Sequence, residues 1–328
     1  MFFKCKNCGA NTVWNPEKRR MCCPHCESID SEDMVTSTED MVSCPACGAP
    51  IQPKQYESAT KCEHCGSYII FEERINGELL PHLILPFLIS KEKAKEEIKK
   101  QFGKMLFVPF GFLREASLDK MEGDYVPFFL FDMHGHYQYS GKGRKVRTWI
   151  SGNTEFTETS IYQITRDMTV DYSRVPADAS LAMPDGQMDL LEPYDYQGMT
   201  QFHPRFMSGF FGEYYSVGAE AVLPRALAKT KESARHLLQG SIGGYSSVSP
   251  EVDNYQAQVM EQNYALLPVW RYVYSYRGKN YNFYLNGQTG KLVGDPPIAK
   301  GKLVAYGLTV FAGVAAMVFS ILSVAGVL

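Results

Sequence analysis

The clearest chemistry in this 328-residue sequence is offered by its nine cysteines, all of which lie within the first 65 residues. Eight of them form four Cys-x2-Cys pairs, arranged as two sets in which 14 residues separate the pairs: Cys5, Cys8, Cys23, Cys26, Cys44, Cys47, Cys62 and Cys65. An offset of 39 converts each position of the first set into one of the second, and it places Cys22 opposite Lys61. The repeat therefore predicts Cys23 as a ligand and Cys22 as a spare thiol.

Two Cys-x2-Cys pairs can place four thiolates at the corners of a tetrahedron, the coordination that Zn²⁺ prefers. We therefore predict two small zinc ribbons, the first ribbon at 1–27 and the second ribbon at 43–72, each with one structural zinc ion. Because a ribbon this short buries little apolar surface, the metal supplies much of its folding free energy. Rubredoxin-like iron and disulfides are the alternatives. All four sulfur positions are used, which leaves no open position for metal catalysis.

Disulfides require an oxidising compartment, and the residues from Met1 to Cys5 contain no apolar stretch typical of an export signal. We therefore expect the ribbons to lie in a reducing compartment. Between the ribbons, 28–42 holds five acidic residues and no basic one, which predicts a solvated acidic linker. The first ribbon is basic, with Lys4, Lys6, Lys18, Arg19 and Arg20. Such a face can contact nucleic acid, although an ordinary solvated face is the favoured interpretation.

The last 26 residues, 303–328, contain no charged residue. As a helix they would span roughly 39 Å, against a hydrocarbon core of about 30 Å, so we predict one transmembrane helix. Lys300 and Lys302 precede it directly. By the positive-inside rule the protein is then a single-pass protein of the cell membrane, with its N-terminal ribbons and body in the cytoplasm.

The body, 79–297, alternates strand and helix signals, so the predicted fold class is α+β. Helices are predicted at 91–102, where charges of both signs recur at i,i+4 spacing, and at 225–239. The apolar run 83–87 precedes the first helix as a short strand, and 221–223, followed by Pro224, precedes the second. Further strands follow each helix, and the one after the first helix runs to Tyr139. This recurrence suggests a duplication, with repeats at 79–150 and 215–297. The second repeat ends in a predicted three-stranded antiparallel meander, whose first strand carries an aromatic stripe of Trp270, Tyr272, Tyr274 and Tyr276. Cross-strand packing against the preceding helix is favoured for the stripe over base stacking.

Catalytic motifs are missing from the sequence. No Gly-Lys pair is followed by the Ser or Thr of a P-loop, and neither H-E-x-x-H nor G-x-S-x-G occurs. Asp132, His134 and His136 would share one strand face and could hold a metal, but an exposed polar face is the favoured interpretation. A net charge of −3 also argues against a surface devoted to nucleic acid. We therefore predict a protein that is not an enzyme and takes no small-molecule substrate.

The tandem ribbons and four body segments resemble a bacterial family of membrane proteins with transcription-factor-IIB-type zinc ribbons. The segments are LILPFLISKEKA (83–94), GDYVPFFLFD (123–132), LEPYD (191–195) and LLPVWRYVYSYRGKNYNFYLNGQTGKLVGDPP (266–297). Members are often labelled as the primosomal replication-restart helicase, but the missing P-loop speaks against helicase activity. The resemblance implies a component encoded beside phage-shock-type and flotillin-like (SPFH) proteins, which helps to hold the flotillin-like partner at the membrane.

Residues and resemblance together predict a membrane-anchored zinc-ribbon adaptor that recruits or scaffolds a protein partner at the cytoplasmic face of the membrane. The alternative is a zinc-ribbon protein that binds nucleic acid in replication or transcription.

Overall fold

The α+β class is confirmed by a computed structural model, which describes residues 1–36 and 43–324. The strands are β1 (Phe2–Cys5), β2 (Val13–Asn15), β3 (Arg20–Cys22), β4 (Glu32–Val35), β5 (Glu57–Lys61), β6 (Tyr68–Ile70), β7 (Leu83–Ile84), β8 (Glu122–Ser151), β9 (Thr154–Asp178), β10 (Thr200–Gln201), β11 (Phe211–Glu213), β12 (Ser247–Tyr276), β13 (Lys279–Asn286) and β14 (Leu292–Val293). The α-helices are α1 (Lys91–Phe102), α2 (Glu115–Leu118), α3 (Asp185–Leu190), α4 (Ala219–Ser241) and α5 (Lys300–Val324).

The main sheet has the order β10-β7-β12-β8-β11-β5-β6, with β9 paired to β8 and with β13 and β14 continuing from β12. Its central strands bury both faces, because apolar residues occupy consecutive positions rather than alternate ones. On β8, Tyr125 and Phe129 belong to one core cluster and Val126 and Phe128 to another. Residues of α1, α4 and the first ribbon lie in the first cluster, and α3 contributes to the second.

The two longest strands form an extended arm. β8 has 30 residues, which corresponds to about 100 Å of extended chain. It pairs antiparallel with β12 as far as Arg144, and with β9 to its end at Ser151. Beyond Arg144 the arm is therefore a two-stranded hairpin, which we call the arm tip (145–160). The predicted strand ends at Tyr139 and has no predicted partner. The Gly152-Asn153 pair is the sequence signal that indicates the turn of this hairpin.

The predicted helix at 91–102 matches α1 residue for residue. The predicted strand at 221–223 is wrong, because α4 begins earlier, at Ala219. A short apolar run does not by itself distinguish strand from helix. Here it belongs to a buried stripe with a four-residue spacing that lies along α4: Val222, Ala226, Thr230, Ala234 and Leu238. In both proposed repeats a helix precedes a long strand, and the duplication stays a prediction.

The predicted meander is confirmed, because β12 pairs antiparallel with β13, and β13 with β14. Its aromatic stripe packs inward. Trp270 and Tyr272 are buried, and the Tyr272 hydroxyl donates to the Phe112 carbonyl oxygen at 2.9 Å. The ring of Tyr274 lies 5.1 Å from that of Phe112, so the stripe covers the segment after α1 rather than the preceding helix α4. The buried rings of Trp270 and Tyr272 leave no free face for bases, whereas those of Tyr274 and Tyr276 are half-buried.

The predicted acidic linker is partly ordered. Glu32–Val35 form β4, which pairs antiparallel with β1, so that Glu32 lies opposite Cys5. These four residues are therefore a strand rather than a linker, while the Asp33 and Met34 side chains stay exposed, because an edge strand can carry side chains toward water while its backbone pairs. Residues 37–42 of the predicted linker lie outside the described residues.

Candidate metal centres

The structure brings the eight paired cysteines into two groups of four. In each group the Sγ atoms all lie within 4.8 Å of one another. The Sγ–Sγ distances are 3.6 Å for Cys5–Cys26 and 3.5 Å for Cys8–Cys23. In the second group they are 3.7 Å for Cys44–Cys65 and 3.8 Å for Cys47–Cys62. A tetrahedral ion with metal–sulfur bonds of about 2.3 Å requires sulfurs about 3.8 Å apart, so both groups fit a metal ion.

One backbone turn occurs at all four Cys-x2-Cys pairs. The amide of the residue after the second cysteine donates to the carbonyl oxygen of the first, at distances from 2.7 to 3.0 Å. That residue has a positive φ in each case, and it is Gly9 (78°), Glu27 (61°), Gly48 (75°) or Gly66 (74°). Glycine adopts this conformation without a steric cost, and Glu27 is the exception.

Thiols of the two groups differ in acidity. A hydrogen bond from the Ser28 hydroxyl lowers the pKa of Cys5 to about 6, whereas burial raises the pKa of Cys44 to about 12. Four converging sulfurs cannot all be ionised without a compensating positive charge, and a bound cation supplies that charge while it displaces the protons. Each group is therefore suited to hold a metal ion through its thiolates.

Cys22 lies outside both groups, in β3 opposite Val13. It is buried, and burial raises its pKa, as expected for a packed thiol. The histidines inside the second and fourth pairs, His25 and His64, are exposed and belong to neither group.

Both ribbons pack into the body, which the sequence did not indicate. The second ribbon contributes β5 and β6 to the main sheet, where Ala59 lies opposite Gly212. The first ribbon contributes Trp14, whose ring meets Phe206 edge to face at 4.7 Å and whose Nε1 donates to the Phe87 carbonyl oxygen at 3.3 Å. Because both ribbons are part of the packed body, metal binding to them is coupled to the main core, and the ribbons are not isolated modules.

The N-terminus joins the two ribbons. The Met1 ammonium donates to the Ile70 carbonyl oxygen at 2.6 Å, and the Ile70 amide donates back to the Met1 carbonyl oxygen at 2.9 Å. The Tyr68 amide donates to the Asn11 side-chain oxygen at 3.0 Å. The two metal sites therefore share one packed unit.

Asp132, His134 and His136 do not converge on one point. Asp132 accepts hydrogen bonds from the backbone of Arg174, at 2.6 Å, and from the Ser173 hydroxyl. His134 and His136 bond to carboxylates of β9, namely Asp171 at 2.6 Å and Asp167 at 2.5 Å. Within 1–36 and 43–324, the sets of three or more His, Cys, Asp or Glu side chains that lie close enough together to hold a metal ion are the two cysteine groups. The strand face is polar and exposed, as the favoured interpretation holds.

The basic residues of the first ribbon are partly neutralised. Lys6 lies 3.3 Å from Asp33 and Arg20 lies 3.5 Å from Asp30, so acidic residues of the predicted linker face them. Such pairing weakens the positive field that attracts nucleic acid.

The terminal helix α5 is long and apolar enough to cross a membrane. No part of its most apolar stretch is buried within the described chain. Beyond Lys302, every side chain of α5 that the structure describes is exposed. A core helix of a water-soluble protein would bury one face, which α5 does not.

Fold and sites define an α+β protein with two four-cysteine groups suited to metal ions and one apolar helix of membrane-spanning length. The chain is 32% identical over 327 residues to a Bacillus subtilis (strain 168) protein described as uncharacterized protein YdjG, in a match that covers 97% of this chain and 95% of that relative. The chain therefore belongs to the YdjG family. No family model matches the sequence, and no solved structure matches it. The resemblance to transcription-factor-IIB-type ribbons stays a prediction.

Proposed function

We propose that this protein is a membrane-anchored adaptor without enzymatic activity, built on two structural zinc ions. The observation that carries the proposal is the combination of closed four-sulfur sites with an apolar helix whose most apolar stretch is not buried by any described part of the chain. Four thiolates saturate a tetrahedral zinc ion, so no position remains for a substrate or an activated water. Zinc is favoured because tetrahedral sulfur sites suit it and because it has no redox chemistry.

In this proposal α5 crosses the cell membrane once, with the ribbons and the body in the cytoplasm. Its 25 residues span about 37 Å, enough for a hydrocarbon core of about 30 Å. Lys300 and Lys302 at its start support the cytoplasmic side by the positive-inside rule. The reducing cytoplasm also keeps thiols available for zinc.

The arm tip is the surface that we propose for the partner. It extends past the third strand of the arm, so no strand within the described residues pairs with either of its edges, and the Val146 amide at its base donates to the Ser246 hydroxyl at 3.2 Å. The rings of Trp149 and Phe156 stack at 5.7 Å, and the Arg147 guanidinium lies 5.6 Å from the Trp149 ring. Ile150 is 75% exposed. Exposed aromatic, aliphatic and arginine side chains are enriched where proteins bind one another.

The partner that the family resemblance favours is a flotillin-like or phage-shock-type protein of the envelope stress response. Such a partner would also lie at the membrane. Confining both proteins to one surface raises their effective concentration to the millimolar range, so weak contacts at the arm tip would suffice for recruitment.

Affinity purification from gently solubilised membranes tests the proposal. The full-length tagged chain is expected to recover a membrane-associated protein, and the double variant Trp149→Ala/Ile150→Ala is expected to lose most of it. Leu181→Ala is the matched control, because Leu181 is 70% exposed but follows β9 at the end of that strand opposite the arm tip. Intact bait that recovers no membrane protein would count against the adaptor. Equal recovery by the unmodified chain, the double variant and the control would count against the arm tip.

Metal analysis of the same preparations tests the sites. About two zinc ions per chain are expected. Iron, with the colour of a ferric thiolate site, would replace zinc in the proposal.

A further inference from the structure

The loop between α1 and α2, residues 104–113, exposes apolar side chains to an unusual degree. Phe110 is 81% exposed, Leu106 is 66% exposed and Met105 is 47% exposed. Ile298, which precedes α5, is 62% exposed. Four large apolar side chains in one region form a patch of the kind that marks an interaction site rather than scattered surface residues.

The loop is bonded to the beginning of α5. The Ala299 amide donates to the Phe107 carbonyl oxygen at 2.7 Å, and the Lys302 ammonium donates to the Val108 carbonyl oxygen at 2.6 Å. The same ammonium lies 3.7 Å from the centroid of the Phe110 ring. The rings of Phe107 and Tyr306 meet edge to face at 5.6 Å.

The exposure does not come from a loose loop. Val108 and Phe112 are buried in the main core, and the Phe112 carbonyl oxygen accepts the Tyr272 hydroxyl bond. Buried and exposed residues therefore alternate along the loop. The buried residues fix the backbone, so that the Leu106 and Phe110 side chains are held toward solvent. Lys104, the first residue of the loop, and Arg114, which directly follows it, are exposed, so both ends of the loop are cationic.

We propose that this loop inserts Leu106 and Phe110 into the boundary between headgroups and acyl chains of the bilayer, as a second membrane contact beside α5. The inference rests on the proposed anchor function of α5. If the helix enters the bilayer at Lys302, groups bonded to its first turns must lie at the interface as well. Phenylalanine and leucine partition into that boundary, and lysine and arginine beside them reach anionic headgroups.

The consequence is a fixed orientation of the body. A helix alone leaves the attached body free to rotate about the membrane normal and to tilt. A second contact beside the helix restricts the tilt, and it thereby sets the height at which the arm and the ribbons face the cytoplasm.

Tryptophan quenching by brominated lipids tests the loop in the full-length chain reconstituted in vesicles. Phe110→Trp places a reporter in the loop, Phe319→Trp places one in α5, and Leu181→Trp places one on the body. The unmodified chain, with Trp14, Trp149 and Trp270, supplies the background to subtract. Each variant should retain the metal content of the unmodified chain as a check of folding.

The added tryptophan at position 110 is expected to lose about half of its emission or more to bromine placed near the headgroup end of the acyl chain, as suits an interfacial residue. The tryptophan at 181 should lose almost none. Quenching at 319 without quenching at 110 would overturn the loop insertion and leave the anchor standing. No quenching at either position would overturn both, and equal quenching at 110 and 181 would refute a specific contact of the loop.

Discussion

Removing one ligand from the first metal site should destabilise the whole body, and Cys8→Ser is the most informative change. Cys8 is exposed, so its replacement disturbs little packing, yet its Sγ lies 3.5 Å from that of Cys23 in the first group. Three remaining thiolates hold zinc far more weakly than four. We therefore expect the metal content to fall from about two ions per chain to about one.

The magnitude follows from what the first ribbon buries. Four of its apolar side chains belong to the main core, namely Met1, Phe3, Trp14 and Met21. Burial of such side chains contributes about 1.5–3 kcal/mol each, or about 6–12 kcal/mol for the four as an upper bound. Loss of the Trp14 contacts alone corresponds to about 3–5 kcal/mol. Since a whole domain is stable by about 5–15 kcal/mol, we expect the body to lose at least about 3 kcal/mol.

Pulse proteolysis across a urea series measures this loss in the detergent-solubilised full chain, with cleavage sites in the body identified by mass spectrometry. With a slope of about 1–3 kcal/mol per molar urea, the midpoint for the body should fall by about 1 M or more. Cys22→Ser is the control, because Cys22 is buried but ligates neither group. It should keep both metal ions. A Cys8→Ser chain that loses one ion while its body unfolds at the unchanged midpoint would refute the coupling of ribbon and core.

Three further outcomes are expected. Glu27→Gly should stabilise the chain by about 0.5–1 kcal/mol in the same urea assay, because Glu27 adopts φ 61° where the other three turns have glycine; an unchanged or lower midpoint would contradict this explanation. Arg225→Ala should cost about 3–5 kcal/mol at pH 8, because Arg225 pairs with the buried carboxylate of Asp178. Burial raises the pKa of Asp178 to about 6, above the value of about 3.9 in the unfolded chain. Between these two pH values the folded state holds a proton that the unfolded state releases, so the free energy of unfolding falls as pH rises from about 4 to 6. Without the arginine that pKa rises further, so the loss should be smaller at pH 5 than at pH 8, and an equal loss at both would refute the role of the charge. His134→Ala should leave the metal content unchanged, and loss of an ion on metal analysis would instead indicate a third metal site that includes His134.

The sequence by itself determined those features that depend on local spacing. The offset of 39 between the cysteine sets separated Cys22 from the eight paired cysteines, because a repeat constrains which thiol of a neighbouring pair is equivalent. Helix α1 was predicted to the residue, because its pattern of charges at i,i+4 spacing is a local signal. The apolar terminal helix followed from composition alone.

The sequence was least informative where pairing is distant in the chain. Strand β9 alternates polar residues with few apolar ones, so its partner is identified only by the long register with β8. The strand predicted at 221–223 belongs to α4, because the stripe that includes Val222 is completed only by residues up to Leu238.

Tertiary structure also decided that the ribbons and the body share one core. The residues that dock the first ribbon, such as Trp14, contact partners about 70 to 190 residues away in the chain, including Phe87 and Phe206. Spacing within the ribbon carries no information on those partners, because burial against a distant surface leaves only an apolar side chain in the local sequence. The chemistry of the candidate metal sites could therefore be predicted from the sequence, whereas their coupling to the body, and the loop beside the apolar terminal helix, required the folded chain.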